Sequence, residues 1–239
     1  PAMLKFELSK IPRFEWGTVD KEQVLVPLTL EGRMKRRPSG EDLFYRLGDC
    51  NIVASTDPAS SIDNKACKRA IVVVATAPLM EGYFSPDRFL IHSWEKICIE
   101  SEYLAEIFKV QQRYSPTDFG VEANANQLWL KSHIDNISRQ VNIFVPTRPI
   151  RPSNKANKSS RIEGRLEPVF RNEELHYNLK DSVFVDAITS YPRGGVDYLD
   201  ALEDCVELWQ TPTSDYSPEP VRLNIPGLYV DGMNSFAGY

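Results

Sequence analysis

The segment Ala70-Ile71-Val72-Val73-Val74-Ala75 is apolar at every position. Successive side chains of a strand point to opposite faces of the sheet, so a strand without alternation is buried on both faces. The segment therefore predicts a central strand of a sheet that is covered on both sides. This requirement constrains the fold more than any other feature of the chain.

Predicted strands and helices follow one another in a definite order around this central strand. They are strands over 51–56, 70–75 and 89–99, a helix over 101–113, a strand over 119–122, a helix over 125–135 and a strand over 141–145. This β-β-β-α-β-α-β order predicts an α/β fold in which a mixed central β-sheet is flanked by α-helices. Helices are also predicted over 158–170, 181–190 and 197–209, with a short strand pair around 174–177.

The two ends of the chain differ from its middle. Residues 1–45 are polar and irregular, with one apolar run over 24–28, and they predict a linker-like lead with a single strand. Residues 210–239 hold four prolines and three glycines and predict an irregular tail. The ordered domain is therefore expected over 46–209.

The composition excludes several classes of protein. Of 239 residues, 42% are apolar and 26% charged, which are ordinary globular values. No apolar run approaches the roughly 20 residues of a membrane helix, so no membrane partner is expected. Four widely spaced cysteines without a C-x-x-C pair predict a reduced, intracellular chain without structural zinc. The net charge of −5 argues against broad coating of nucleic acid but allows a local basic track.

Carboxylates stand where predicted strands end or a predicted helix begins. Asp57 ends one strand, Asp63 follows in the next loop, Glu122 ends another strand, and Asp197 opens the last helix with Asp200 one turn on. Taken singly, each has a structural explanation, because aspartates favour turns and acids stabilise helix N-termini. Carboxylates that converge on one point repel each other unless a divalent cation holds them, and their oxygen atoms select Mg²⁺ or Mn²⁺. Two such ions can support hydrolysis of a phosphodiester bond.

The last predicted helix has an apolar stripe and an acidic face. Glu203, Asp204 and Glu207 lie largely opposite the apolar stripe and predict a solvated face. Asp197 differs, because a side chain in the first turn points towards whatever the helix abuts. The preceding Gly194-Gly195 would allow the backbone to come close.

Other catalytic chemistries find little support. The three histidines, His92, His133 and His176, are each embedded in a predicted strand or helix and form no Ser-His-Asp or Cys-His order. No G-x-x-x-x-G-K-[ST] motif occurs, so the chain is expected to hold no ATP site.

A basic stretch over 146–165 stands out in this acidic chain. It holds six basic residues against one acid, Glu163. The stretch predicts either a track for the phosphate backbone of DNA or a solvated loop that balances an acidic protein. The six basic residues are Arg148, Arg151, Lys155, Lys158, Arg161 and Arg165.

Four stretches spread over roughly 51–209 resemble the motifs of one family. They are Ser55-Thr56-Asp57-Pro58-Ala59 with Asp63 after it, Val121-Glu122-Ala123-Asn124-Ala125-Asn126-Gln127, Lys158-Ser159-Ser160-Arg161-Ile162 with Leu166-Glu167-Pro168-Val169-Phe170, and Tyr191-Pro192-Arg193-Gly194-Gly195-Val196-Asp197-Tyr198-Leu199-Asp200-Ala201-Leu202. Through them the chain resembles the C-terminal nuclease domain of the large terminase subunit of tailed double-stranded DNA bacteriophages.

The resemblance implies an RNase H-like nuclease domain over 46–209. The activity it implies is metal-dependent endonucleolytic cleavage of double-stranded DNA during viral genome packaging, with two-metal-ion hydrolysis and little sequence specificity. It implies the catalytic residues Asp57, Glu122 and Asp197. The metal ligands it implies, for one or two Mg²⁺ or Mn²⁺ ions, are Asp57, Asp63, Glu122, Asp197 and Asp200. The DNA-binding residues expected with it are Arg148, Arg151, Lys155, Lys158, Arg161 and Arg193.

The resemblance also implies partners and a location. The family's full subunit carries an N-terminal ATPase domain that drives DNA translocation, so this chain would be an excised domain. Portal protein and the small terminase subunit are the further expected partners. The expected location is the host cytoplasm.

The third motif departs from the family pattern at one position. The family shows His-Asp-Asp where this chain has Gly195-Val196-Asp197, so Val196 replaces a carboxylate. Two alternatives therefore stay open. One is an RNase H-like resolvase or integrase-type nuclease, and the other is a non-catalytic module that binds DNA or a portal protein.

Overall fold

The computed structural model describes residues 5–58, 68–80, 85–122, 128–150 and 157–210 of the chain. The strands in these ranges are β1 (Arg13–Val19), β2 (Glu22–Pro27), β3 (Tyr45–Arg46), β4 (Asn51–Asp57), β5 (Arg69–Thr76), β6 (Arg88–Lys96), β7 (Asp118–Glu122), β8 (Thr147–Ile150) and β9 (Leu175–Asn178). The helices are α1 (Glu100–Tyr114), α2 (Leu128–Val141), α3 (Lys158–Arg171), α4 (Ser182–Ser190) and α5 (Val196–Gln210).

The described strands form one mixed sheet in the order β3-β2-β1-β9-β6-β5-β4-β7-β8. β5 is antiparallel to both β4 and β6, whereas β7 is parallel to β4 and β8 is parallel to β7. β9 joins the two halves of the sheet, since it is parallel to both β6 and β1. The predicted α/β fold with a mixed central sheet and flanking helices is confirmed.

The central strand β5 is buried on both faces, as its sequence predicts. Val72 and Val74 pack into a core with residues of α3, α4 and α5, and Ile71 and Val73 pack into a second core with residues of α1 and α2. All four side chains are fully buried. The sheet therefore separates two helical layers, and the carboxyl end of β4 faces the layer that contains α3 and α5.

The N-terminal lead contains more regular structure than the sequence indicates. β1 and β2 form an antiparallel hairpin, and β3 pairs with β2. The hairpin turn consists of Asp20 and Lys21, whose φ angles of 52° and 69° match the right-handed twist of a two-residue hairpin. The turn lacks glycine and asparagine, and so the usual sequence signal for such a turn is missing. Phe14 and Leu25 are buried and attach the hairpin to the core.

Three local predictions differ from the structure. The strand predicted over 141–145 is wrong, because α2 continues to Val141 and the strand is β8, Thr147–Ile150. The strand pair around 174–177 is the single strand β9, which takes both of its partners from distant parts of the chain. The strand predicted to extend to residue 99 ends at Lys96. In each case the long-range partner, and not the local pattern, determines where the strand lies.

The acidic face of α5 is not solvated, contrary to prediction. Glu203 and Asp204 retain only 1% and 4% of their exposure. α3 packs along this face of α5 and places Arg161 and Arg165 opposite its carboxylates. The sequence pattern of a charged helix face is the same whether that face contacts water or a neighbouring helix of opposite charge. Here it contacts the basic side chains of α3.

No helix in the described part of the chain is both long and apolar enough to cross a membrane.

Candidate active site

Two carboxylates end neighbouring parallel strands at one edge of the sheet. Thr56 of β4 is in register with Val121 of β7, so the last residues of the two strands, Asp57 and Glu122, come next at the same edge. Asp57 is buried and Glu122 is half-buried. The structure therefore brings two of the predicted site residues to adjacent strand ends.

α5 crosses this edge of the sheet at close range. The Ser55 hydroxyl on β4 donates a hydrogen bond to the backbone carbonyl of Ala201 in the middle of α5. Gly120 on β7 permits the approach, because a Cβ atom there would overlap Cδ1 of Ile150 and lie 3.0 Å from Cδ1 of Leu208 on α5. These contacts hold the α5 carboxylates above the ends of β4 and β7.

The turn before α5 also depends on a glycine. Gly195 has a φ of +70°, and a Cβ atom there would lie 2.6 Å from the Cα atom of Ala187. Only glycine fits a positive φ with so close a backbone neighbour. This turn positions the first residues of α5, and therefore Asp197.

Three aspartates surround one ammonium group. The Lys158 Nζ atom lies 3.0 Å from Oδ2 of Asp57, 3.0 Å from Oδ1 of Asp197 and 3.1 Å from Oδ2 of Asp200. The aspartates come from β4 and α5, and the lysine is the first residue of α3. We call Asp57, Asp197 and Asp200 the carboxylate cluster.

A row of ion pairs continues from the cluster between α3 and α5. Arg161 contacts Asp200 and lies 2.9 Å, through its Nε atom, from Oε2 of Glu203. The Nε atom of Arg165 lies 2.8 Å from Oε1 of Glu203, and its Nη1 atom lies 2.7 Å from Oε2 of Glu207. This row stabilises the position of α3 against α5 and hence the position of Lys158.

The electrostatics of the cluster follow from burial and crowding. Burial raises the pKa of Asp57 to about 6, and the neighbouring Asp200 and Asp197 carboxylates add to the effect while Lys158 opposes it. Burial would lower the pKa of Lys158, but the three aspartates outweigh it and raise that pKa. The pKa shifts of Asp57 and Lys158 are consistent with each other. Three carboxylates share one ammonium group, so the carboxylates repel one another and all of them attract the ammonium.

Sequence reasoning missed Asp204 as a neighbour of the cluster. Burial and the charges of Asp200, Glu203 and Glu122 raise its pKa well above the ordinary value. Among the described residues, no hydrogen bond or ion pair reaches the Asp204 carboxyl group. The signal was present in the sequence, since Asp200 and Asp204 are four residues apart and share one helix face.

The remaining predicted site residues have different placements. Asp63, Arg151 and Lys155 lie outside the described residues. Arg148 lies 3.5 Å from the Asp118 carboxylate, and Arg193 is exposed in the turn before α5. Lys158 and Arg161 lie against carboxylates of the site, so their predicted contact with DNA stays a prediction.

The donor chemistry of the cluster fits a hard divalent cation. Carboxylate oxygen atoms are the ligands that Mg²⁺ and Mn²⁺ prefer. In the described ranges, no group of three or more His, Cys, Asp or Glu side chains could hold a metal ion as it stands. The position at the centre of the cluster is instead filled by the Lys158 ammonium, a monovalent cation that contacts all three aspartates.

The three histidines lie in other surroundings. His133 contacts Glu100, His92 lies 3.8 Å from Glu106, and His176 is buried 3.7 Å from Asp87. Burial lowers the pKa of His176 to about 4, so this side chain is neutral at physiological pH. The chemistry of the site therefore rests on carboxylates and basic side chains.

Fold and site together describe an α/β protein with acidic side chains at the carboxyl edge of a mixed sheet. No protein-family model matches the chain, and no curated protein matches its sequence. A large terminase from a thermophilic bacteriophage is similar in structure, with 12% identity, a TM-score of 0.46 and coverage of 68% of this chain. The chain covers 40% of that terminase.

Two further solved structures are similar to this chain. The large terminase nuclease from the thermophilic phage G20c, with bound zinc, shares 10% identity at a TM-score of 0.46, covering 85% of this chain and 95% of that one. Thermus thermophilus RuvC shares 18% identity at a TM-score of 0.37, covering 65% and 90%.

Proposed function

We propose that this chain is a divalent-metal-dependent endonuclease that hydrolyses the phosphodiester bonds of double-stranded DNA. The observation that carries the proposal is the meeting of Asp57, Asp197 and Asp200 around one cation position at the edge of the sheet. These residues lie 39 to 101 positions from Lys158 in sequence, and only a folded site brings them together.

The carboxylate cluster would hold one ion through Asp57 and Asp197, with Asp200 beside them. Asp57 together with Glu122 or Asp63 would hold a second. When bound, Mg²⁺ or Mn²⁺ supplies Lewis acidity at the scissile phosphate and an activated water. Asp57 has the central role, because it is the residue that would contact both ions.

Basic side chains of β8, of the segment after it and of the turn before α5 would position the DNA. Arg193 is exposed in the turn that leads into α5. Arg148 lies on β8, which pairs with β7, and its guanidinium lies 3.5 Å from the Asp118 carboxylate at the start of β7. Arg151 and Lys155 lie between Arg148 and the start of α3 in sequence. Contacts of these residues to phosphate oxygen atoms would give affinity without sequence preference.

The biological role that fits this activity is cutting of packaged DNA by the large subunit of a phage terminase. In that role an N-terminal ATPase domain would accompany the nuclease, and portal protein and the small terminase subunit would be partners. The sequence motifs over 51–209 support this part of the proposal.

The test is nicking of supercoiled plasmid with Mn²⁺ or Mg²⁺ and again with EDTA. We expect metal-dependent nicking that falls to background in Asp197→Asn. Asp186→Asn is the matched control, because Asp186 is an aspartate on α4, outside the carboxylate cluster. An active Asp197→Asn variant, or activity in EDTA, would overturn the assignment. Preference for branched over linear duplex would indicate a resolvase-type nuclease instead.

A further inference from the structure

Lys158 and a divalent ion at the centre of the cluster would contact the same three carboxylates. The Lys158 ammonium contacts Asp57, Asp197 and Asp200 at 3.0 to 3.1 Å. A bound Mg²⁺ or Ca²⁺ ion lies roughly 2.0–2.6 Å from its carboxylate ligands. An ammonium group and a divalent ion at such distances from the same three carboxylates would crowd and repel each other. The two cations therefore exclude each other from the centre of the cluster.

The Lys158 side chain can leave without disturbing α3. Its side chain retains 36% of its exposure, against 7% for Asp57 and 6% for Asp200. The start of α3 is fixed independently of the lysine, because the Asn157 side chain accepts a 2.7 Å hydrogen bond from the Ser160 backbone N–H. A change of lysine rotamer is therefore sufficient to move the ammonium into solvent.

Arg161 does not share this freedom. It is 11% exposed and contacts both Asp200 and Glu203, so it stays with α5 when Lys158 leaves. The row of ion pairs formed by Arg161 and Arg165 would keep α3 in place against α5 during the exchange. Of these three basic side chains on α3, Lys158 alone is both inside the cluster and accessible from outside.

We propose that Lys158 is a built-in counter-ion that fills the cation position of the ion-free protein and is displaced when a divalent metal ion binds. This inference rests on the proposed metal-dependent nuclease function. The lysine would keep three crowded aspartates together before an ion arrives. It would also lower the affinity of the protein for metal, because each ion must displace a bound cation.

Displacement would couple metal binding to DNA binding. The displaced ammonium would lie in solvent beside the carboxylate cluster, where a DNA phosphate could accept its hydrogen bonds. A phosphate that holds Lys158 outside the cluster would increase the affinity for metal. By linkage, bound metal would increase the affinity for DNA by the same factor. The chain would then bind its ions best when substrate is present.

Titration of the DNA-free protein with Mn²⁺ tests the exchange in Lys158→Met. We expect this variant to bind Mn²⁺ about tenfold more tightly than the wild type, a coupling of the usual size between two linked sites. Lys109→Met, which removes an exposed lysine on α1, should bind as the wild type does. Weaker Mn²⁺ binding by Lys158→Met would overturn the proposal, since the lysine would then only arrange the carboxylates.

A second measurement uses the wild-type protein and does not depend on the stability of a variant. Acetylation of lysines by an activated ester, followed by mass spectrometry, reports how accessible each amine is. We expect Lys158 to react slowly in the ion-free protein and several-fold faster with saturating Mn²⁺, while Lys109 reacts equally in both. A Lys158 that stays protected while Mn²⁺ is bound would overturn the exchange alone. Absence of Mn²⁺ binding in both the wild type and Lys158→Met would instead overturn the proposed metal-dependent function.

Discussion

The Lys158 ammonium donates a 3.0 Å hydrogen bond to Oδ2 of Asp57, a residue 101 positions earlier in the chain. The contact joins the carboxyl end of β4 to the first residue of α3. A buried carboxylate in the edge of a sheet thus receives its counter-charge from the helical layer that covers it. Substitutions in and around this site should therefore change metal binding, stability or DNA binding.

Removing the Asp57 charge should stabilise the ion-free protein at alkaline pH. The pKa of Asp57 is raised to about 6 in the folded state, so the folded state binds the proton more tightly and the charged form opposes folding. We expect Asp57→Asn to raise the free energy of unfolding by about 1–3 kcal/mol near pH 8. The gain should fall to about half by pH 5, because the wild-type carboxyl group is then protonated when folded.

Urea unfolding at the two pH values measures this difference, with Asp186→Asn as the control for loss of a carboxylate outside the cluster. The same variant should lose plasmid nicking. A gain that is independent of pH would mean that Asp57 does not titrate in the raised range.

Gly195→Ala should destabilise the protein and weaken the site. The new Cβ atom would lie 2.6 Å from the Cα atom of Ala187 at a φ of +70°. Strain and overlap together should cost about 2–4 kcal/mol in the free energy of unfolding. Gly164→Ala is the control, because a Cβ atom at Gly164 in α3 would have no atom within 4 Å, and it should gain about 0.5–1 kcal/mol.

Thermal or urea unfolding of both variants checks the contrast. Mn²⁺ titration should show weaker binding for Gly195→Ala, because the turn positions Asp197. Equal stability of the two variants would show that the turn before α5 adjusts without strain.

Arg193→Ala should weaken DNA binding without loss of stability. Arg193 is exposed beside the site and would contact the phosphate backbone. Loss of one phosphate contact should reduce the slope of log affinity against log salt by about 1. Arg113→Ala, on α1 in the opposite helical layer, should leave the slope unchanged. Binding to a duplex of fixed length at several salt concentrations measures the slope for both variants. Equal slopes for Arg193→Ala and Arg113→Ala would show that Arg193 does not contact DNA.

Val196→Asp should increase the affinity for metal. Val196 begins α5 next to Asp197 and packs, half-buried, against the core that contains residues of α3, α4 and α5, so the variant adds a carboxylate next to Asp197 in sequence at a cost in packing. Affinity for hard cations rises with the number of carboxylate ligands. We expect the Mn²⁺ concentration for half-maximal nicking to fall in Val196→Asp but not in Val196→Asn, which has similar volume without the charge. A fall in both variants would indicate a packing effect.

Much of the fold could be predicted from local patterns. The apolar segment around Val73 predicted the central strand, because only burial on both faces allows a strand without polar alternation. The helices predicted over 101–113 and 158–170 lie close to the observed bounds of α1 and α3. The hairpin of β1 and β2 escaped prediction, since its turn of Asp20 and Lys21 lacks the residues that usually mark such turns.

By itself, the sequence determined the α/β class, the strand ends that carry Asp57 and Glu122, and Asp197 in the first turn of α5. Backbone sterics and the burial of apolar side chains act over neighbouring residues, so a local pattern records them. Only the tertiary structure decided that the acidic face of α5 is buried against α3, and that Lys158 fills the centre of the carboxylate cluster. Charged side chains take whichever partner packing brings within a few ångströms, and here those partners are tens of residues away in the chain.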